Sequence, residues 1–340
     1  MSEIIIEAGL LARAGEALAQ MGKTWRAAVI SDDRVAGLYL RQLEEALKAS
    51  GHDVLSFVFP HGEASKNAQT YIRILEYLAA NHLTRTDVAM ALGGGVVGDI
   101  AGFAAATYLR GIRLVQIPTT LLACVDSSIG GKTGIDLTAG KNLAGAFHQP
   151  EAVLIDPALL DTLPPDTRRD GMAEVIKYAC IREGRLWQLA QDSSAPIQEI
   201  IRLCVDIKVD ITGRDAFDRG ERQLLNFGHT FGHAIEQRSG FALSHGKCVA
   251  IGMAIMARAC SRRGLCAPET ALQLERVLEA KGLPAGTDYS ADELLPAMLS
   301  DKKRAGEGIT LVTLRAIGRA QLYQTNMAEA LDFLKEGLRA

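Results

Sequence analysis

Asp87-Val-Ala-Met-Ala-Leu92 runs directly into Gly93-Gly-Gly95-Val-Val-Gly98-Asp99, and this junction sets the character of the first half of the chain. A short apolar run that stops at glycines reads as a buried strand. The stretch beyond it, Ala101–Leu109, has helical spacing. Glycines at a strand-to-helix turn allow backbone N–H groups to approach a pyrophosphate at the helix N-terminus. A tight turn alone also asks for glycine, and the acidic residue expected about 20 positions later in a dinucleotide fingerprint is missing.

Outward from this junction, Arg26-Ala-Ala-Val-Ile30, Asp53-Val-Leu-Ser-Phe-Val58, Arg113-Leu-Val-Gln-Ile117 and Ala152-Val-Leu-Ile155 read as further strands. Val35–Ser50 and Ala68–Asn81 carry the apolar spacing of helices between them. Strands alternating with helices predict a parallel sheet covered on its faces, an α/β domain over residues 1–160. From Pro157 the strand signal fades. Gly171–Arg182, Ala195–Asp210, Gln223–Arg238, Lys247–Arg263 and Pro268–Lys281 are long amphipathic stretches, and only Gly308-Ile-Thr-Leu-Val-Thr-Leu314 is β-like. Residues 161–340 therefore read as an all-helical domain, with the junction near Leu163-Pro164-Pro165.

Two domains suit 340 residues, because one core stops growing at about 250–300. Hydrophobic residues make up 48% and charged ones 23%, which excludes a disordered or fibrous chain. The net charge of −3, with Lys and Arg scattered, offers no basic stripe for a nucleic acid. No basic leader precedes an apolar segment at the N-terminus and no stretch is long enough to span a bilayer, so a cytoplasmic protein with no membrane partner is expected. Six cysteines without Cys-x-x-Cys spacing sit mostly in apolar runs and read as reduced core residues.

Three of the seven histidines fall in Asn226-Phe-Gly-His229-Thr-Phe-Gly-His233-Ala-Ile-Glu236 and Leu243-Ser-His245-Gly246. On a helix, His229, His233 and Glu236 share one face, where a divalent cation could collect nitrogen and carboxylate ligands. Satisfied surface histidines would also fit this spacing. Ser127-Ser-Ile-Gly-Gly131-Lys132-Thr133 mimics a nucleotide-triphosphate loop but has Asp126 where that loop needs glycine, so it is rejected as one. Lys132, Lys141 and Asn142 remain donors suited to an anionic, hydroxylated ligand or to a solvated loop. Gly171-Met-Ala-Glu174-Val-Ile-Lys177 puts a carboxylate and an ammonium on one apolar helix face, either as a surface pair or as partly buried charges in need of partners. Asp218-Arg-Gly-Glu-Arg222 adds a mixed-charge loop before Asn226.

Taken in order, these segments resemble the 3-dehydroquinate synthases, a family of sugar phosphate cyclases. The likeness rests on Gly62-Glu63-x-x-Lys66, the Gly93–Asp99 turn, Thr107-Tyr-x-Arg110-Gly, Pro118-Thr-Thr-Leu-Leu-Ala-x-Val-Asp126, Gly130-Gly-Lys132-Thr and Gly140-Lys-Asn142. It continues through Gly171-Met-Ala-Glu174-x-x-Lys177-Tyr, Leu225-Asn-Phe-Gly-His229-Thr-x-Gly-His233-Ala-x-Glu236, His245-Gly246 and Asp301-Lys-Lys303. The resemblance implies NAD in the first domain, and a divalent metal, zinc before cobalt, with substrate in the second. Its metal ligands fall on Glu174, His229 and His245, which replaces the helix-face set and makes His233 a substrate-facing or proton-relay group.

By the same resemblance, Asp32, Glu63, Lys66, Gly94, Gly95, Val96 and Asp99 line the NAD site, with Thr119, Thr120, Lys132, Lys141 and Thr162. Asp126, Lys132, Lys177, Lys208, Arg222, Asn226 and His233 contact the substrate or relay protons. Asn142, Lys302 or Lys303, and Arg110 hold its phosphate, Arg110 coming from the neighbouring subunit of a homodimer. The implied reaction converts 3-deoxy-D-arabino-heptulosonate 7-phosphate to 3-dehydroquinate and phosphate in the shikimate route to aromatic amino acids. NAD is reduced and regenerated within each turnover, around phosphate elimination and an internal aldol closure. Arg34 and Lys247 depart from the family pattern, beside the adenine ribose and the metal ligands respectively. Competing readings are a cyclase of the deoxy-inosose or valiolone type, against which Lys208, Arg222 and Asn226 favour a carboxylate-bearing substrate, and a metal-dependent polyol dehydrogenase, against which the phosphate-binding set argues.

Overall fold

A computed structural model describes residues 2–20, 26–305 and 308–338, the side chains of 300–305 excepted. The Lys302 and Lys303 side chains therefore lie outside the described residues. The chain forms two compact units, Met1–Pro164 and Pro165–Ala340.

The first unit is built on six parallel strands: β1 (Glu3–Ile6), β2 (Arg26–Asp32), β3 (Asp53–Phe59), β4 (Val88–Gly93), β5 (Arg113–Pro118) and β8 (Ala152–Ile155). They lie in the order β1-β8-β5-β4-β2-β3. Alternation along β2 sends Ala27 and Val29 to one face and Ala28 and Ile30 to the other. Leu43 and Leu47 from the helix Arg41–Ala49 cover the first face. Ile74 and Leu78 from Ala68–Ala80, with Val97, Ile100 and Ala104 from Gly95–Thr107, cover the second. Burial on both faces is why these strands read as continuous apolar runs.

Three departures from the sequence reading have physical causes. The Gly95–Thr107 helix begins six residues before Ala101, because burial of Val97, Gly98 and Ile100 overrides the poor helix propensity of glycine and valine. Residues 132–147, read as a loop with donors, form an antiparallel hairpin of β6 (Lys132–Leu137) and β7 (Gly140–Phe147). Its strands are rich in Gly, Ala, Lys and Asn, which have little strand preference. The second unit is mostly helical and not wholly so: β9 (Ile309–Ala316) pairs with β10 (Arg319–Thr325), whose polar sequence concealed it.

Within the second unit the helices His229–Arg238 and His245–Arg262 pack backbone to backbone. The stretch Gln223–Arg238 is not one helix, because a tight turn over Glu221–Asn226 ends before Gly228, which sits at φ +81°. A Cβ on Gly252 would stand 2.0 Å from the Gly228 carbonyl oxygen. This contact sets how closely the two helices approach. Gly252→Ala is expected to lower unfolding free energy by about 3 kcal/mol, through overpacking against backbone that cannot yield, as read by denaturant titration.

Candidate active site

Glu174 lies mid-way along the helix Pro165–Ile181 and is fully buried, as is Lys177 one turn on, at 0% and 1% exposure. Lys177 Nζ pairs with Glu174 Oε2. Burial excludes the surface-pair reading of this spacing. Placing two such charges in a core costs several kcal/mol per ion unless geometry and further partners offset it.

Those further partners arrive from two helix starts. His229 Nε2 stands 3.6 Å and His245 Nε2 3.5 Å from Glu174 Oε1. These separations are long for hydrogen bonds. They match the roughly 3.3–3.6 Å between donors that share one tetrahedral cation at about 2.0–2.2 Å. The outer ring nitrogens face acceptors: His229 Nδ1 lies 3.2 Å from the Phe227 carbonyl, and His245 Nδ1 3.5 Å from Glu236 Oε2. An Nδ1–H held this way leaves the Nε2 lone pair aimed at a metal. One carboxylate and two imidazoles with ligand atoms within 4.8 Å fit a divalent cation.

The helix-face set of His229, His233 and Glu236 is not the group that forms. Because His229 is the first residue of its helix, its ring is drawn toward Glu174, while buried Glu236 groups with His233 and His245. His233 is exposed, its ring centroid 5.3 Å from that of His229. Asp170, which sequence reasoning overlooked, fixes the start of the His245 helix. Its Oδ1 accepts from Ser244 Oγ at 2.6 Å and from the Lys247 N–H at 3.2 Å. A Cβ on Gly246 would come 2.2 Å from the Asp170 carbonyl oxygen, so the His245-Gly246 pair records a close helix contact. Lys247 is half-buried, and Arg34, exposed at the other departure, faces His61 Nε2 at 3.1 Å.

Burial pushes His229 down to about 3. Burial works against the His245 imidazolium too, but close approach to Glu174 and Glu236 and their charges outweigh it and raise it to about 10. Without a cation, the His245 ring therefore favours its protonated form beside Glu174 and Glu236. A metal must displace that proton, so cation affinity is expected to rise with pH from 6 to 9 with close to one proton released per ion. Calorimetry in buffers of different ionisation enthalpy checks this, and a pH-independent affinity would contradict it.

Lys208, on the helix Ile197–Arg214, and Arg222 are buried cations at 6% and 2% exposure. The Glu221–Asn226 turn packs on helices Pro165–Ile181 and Ile197–Arg214 and on the β9–β10 hairpin, burying Arg222 and leaving Asn226 exposed.

In the first unit, connections from β2 run toward β3 and those from β4 toward β5, so the sheet switches direction between β2 and β4. Ligands of open α/β sheets bind at the carboxyl ends of such neighbours. The Gly93–Gly95 turn ends β4, and no side chain caps the helix that starts at Gly95 and Val96. Asp32 ends β2, where its Oδ1 accepts the Val35 N–H at 2.9 Å. Thr119 and Thr120 follow β5, and the Thr119 N–H donates to the Gly93 carbonyl at 3.0 Å.

Beside this turn, buried Lys66 donates to Asp99 Oδ2 at 2.6 Å and to Asn142 Oδ1 at 2.5 Å. Burial opposes the Lys66 charge, but Asp99 more than offsets it and holds its pKa above the ordinary value. Lys141 Nζ lies 3.5 Å from Glu63 Oε1. Glu63, Lys66, Asp99, Lys141 and Asn142 therefore form one cluster, with Asn142 among the residues expected at NAD. Thr162 is not a member of this cluster and bonds to the Tyr39 hydroxyl. Asp126 is half-buried in the Ala123–Ser127 turn, and Lys132 is exposed at the start of β6. Arg110 is exposed on a turn where Leu109 and Arg110 both have positive φ.

Fold and site together define a class: a parallel α/β unit with a glycine-rich turn at its switch point, followed by a mostly helical unit with an interior Glu-His-His set. The 3-dehydroquinate synthase N-terminal family matches residues 56–170 and the C-terminal family residues 171–304. The 3-dehydroquinate synthase of Streptococcus suis is 41% identical over 98% of this chain and 96% of its own. The chain belongs to the 3-dehydroquinate synthase family. Among solved structures, 2-epi-5-epi-valiolone synthase from Streptomyces hygroscopicus with NAD and zinc bound is 28% identical, with TM-score 0.88 over 99% of this chain and 97% of that one. A 2-deoxy-scyllo-inosose synthase complexed with carbaglucose-6-phosphate, NAD and cobalt is 25% identical, with TM-score 0.87 over 98% and 96%.

Proposed function

We propose that the protein converts 3-deoxy-D-arabino-heptulosonate 7-phosphate to 3-dehydroquinate and inorganic phosphate, with NAD and zinc, as a cytoplasmic homodimer. The observation that carries this reading is the Glu174-His229-His245 set, closed around a buried carboxylate, in a chain of this family. Substrate choice is supported by the gradient of likeness: 41% identity to a 3-dehydroquinate synthase against 28% and 25% to the valiolone and inosose enzymes.

When bound, NAD supplies reversible hydride transfer and the cation polarises the hydroxyl concerned. Glu174, His229 and His245 hold the cation, and the cluster of Glu63, Lys66, Asp99 and Lys141, with Asp32 and the Gly94–Val96 turn, holds NAD. Thr119, Thr120 and Thr162 complete that lining. Desolvated Lys208 and Arg222, with Asn226, are preorganised for a substrate carboxylate and hydroxyls, since a buried cation gains most from an anion brought to it. Lys177, held by Glu174, presents its ammonium in a fixed place. Asp126 and Lys132 orient substrate hydroxyls. His233, exposed yet ring to ring with His229, is the side chain able to exchange a proton between substrate and water. Asn142, Arg110 and Lys302 or Lys303 take the phosphate. The outward aim of Arg110 supports its service to a second copy, and the six free buried thiols support a reducing compartment.

The overall reaction is redox-neutral. Phosphate release without accumulating NADH, abolished by chelator and restored by zinc, is the expected result. Net NADH would point to a dehydrogenase, and absence of phosphate would overturn the reading. His233→Ala should lower kcat by about 10²–10⁴ while bound metal per chain stays unchanged, because its ring is not a ligand. Loss of metal from that variant, measured by elemental analysis, would contradict the role.

A further inference from the structure

The loop that delivers Arg222 is folded around one carboxylate. Asp215 follows the helix Ile197–Arg214. Its Oδ1 accepts the Arg219 N–H at 3.1 Å, and its Oδ2 accepts those of Gly220 at 2.7 Å and Arg222 at 3.2 Å. These amides, Arg219 foremost, hold the Asp215 carboxyl below the ordinary range, so it stays ionised at neutral pH. The path between is costly: Asp218 adopts φ +61°, a conformation that persists only where surrounding bonds determine it. Glu221 is held in turn by a two-pronged contact from Arg214, Nε at 2.7 Å and Nη2 at 2.9 Å. The Arg222 guanidinium then donates from Nη1 to the Ala216 carbonyl at 2.7 Å, inside the same loop. Both the backbone and the side chain of Arg222 thus take their position from a turn organised by Asp215.

We propose that Asp215 is a positioning residue that holds Arg222 in place for the substrate carboxylate, acting through the backbone of residues 219–222 without touching substrate. This rests on Arg222 as a carboxylate-binding group. Fixing that fork in advance lowers the ordering cost of binding, which appears in KM more than in kcat.

The test is a double-mutant cycle on the zinc-loaded full chain, D215A against R222A, with D215N as the isosteric control. D215A is expected to raise KM about tenfold with kcat changed less than about threefold, and D215N, which keeps one acceptor oxygen, to recover part of the loss. In the R222A background D215A should add no further rise in KM. Hydrogen exchange should show the amides of 219, 220 and 222 losing protection in D215A while metal content holds. An equal KM increase from D215A with or without Arg222 would overturn the inference, as would an unchanged KM despite lost amide protection. A wild-type KM for R222A would instead sink the carboxylate role of Arg222, and this inference with it. Should D215A fail to fold, the same cycle is read from D215N.

Discussion

A carboxylate with no access to water must be matched by positive charge within a few ångströms, and Glu174 imposes that condition on the second unit. Lys177 meets it from the same helix. One ammonium satisfies one oxygen; the other oxygen faces two imidazoles at distances better suited to a shared cation than to hydrogen bonds. The arrangement has the spacing of a ligand set. A core built for stability alone would favour apolar residues here, since isosteric hydrophobic replacements of buried ion pairs are often as stable.

Two helix contacts bring the imidazoles to Glu174. The Gly228–Gly252 approach seats the start of the His229 helix against the interior of the His245 helix, and Asp170 ties the second to the helix that carries Glu174. Each contact is backbone against backbone or carboxylate against amide, with no long flexible side chain between. Ligands held this way keep their geometry without an ion present, so binding does not also bear the cost of ordering them.

Much of this was legible in the sequence. Strands in the sheet interior announce themselves as apolar runs, and all five read that way are present; β1 is a short Ile4-Ile5-Ile6 run that was passed over, while β10 and the β6–β7 hairpin are polar or glycine-rich and carry no such signal. At the site, Glu174 and Lys177 were visible as a charged pair inside an apolar helix, but whether they face solvent is a tertiary property. The spacing of His229, His233 and Glu236 promised a single-helix site. That failed because helical periodicity predicts which residues share a face and not what the first residue of a helix, beside a left-handed glycine, can reach on a neighbour. Asp170 carried no motif at all: its role exists only once Gly246 is pressed against it.

The first unit carries the converse lesson. A dinucleotide fingerprint places its acidic residue downstream of the glycine turn because in that topology the next strand in sequence is also the neighbour in the sheet. Here β5, the next strand after β4, is likewise its sheet neighbour, but it ends at Pro118 and runs into Thr119 and Thr120; the neighbour on the other side is β2, which precedes the turn by some sixty residues. Asp32, at the carboxyl end of β2, is the acidic side chain that closes a strand beside the Gly93–Gly95 turn. The search downstream of the turn found no acid because the neighbour of β4 that ends in one comes before it in the chain.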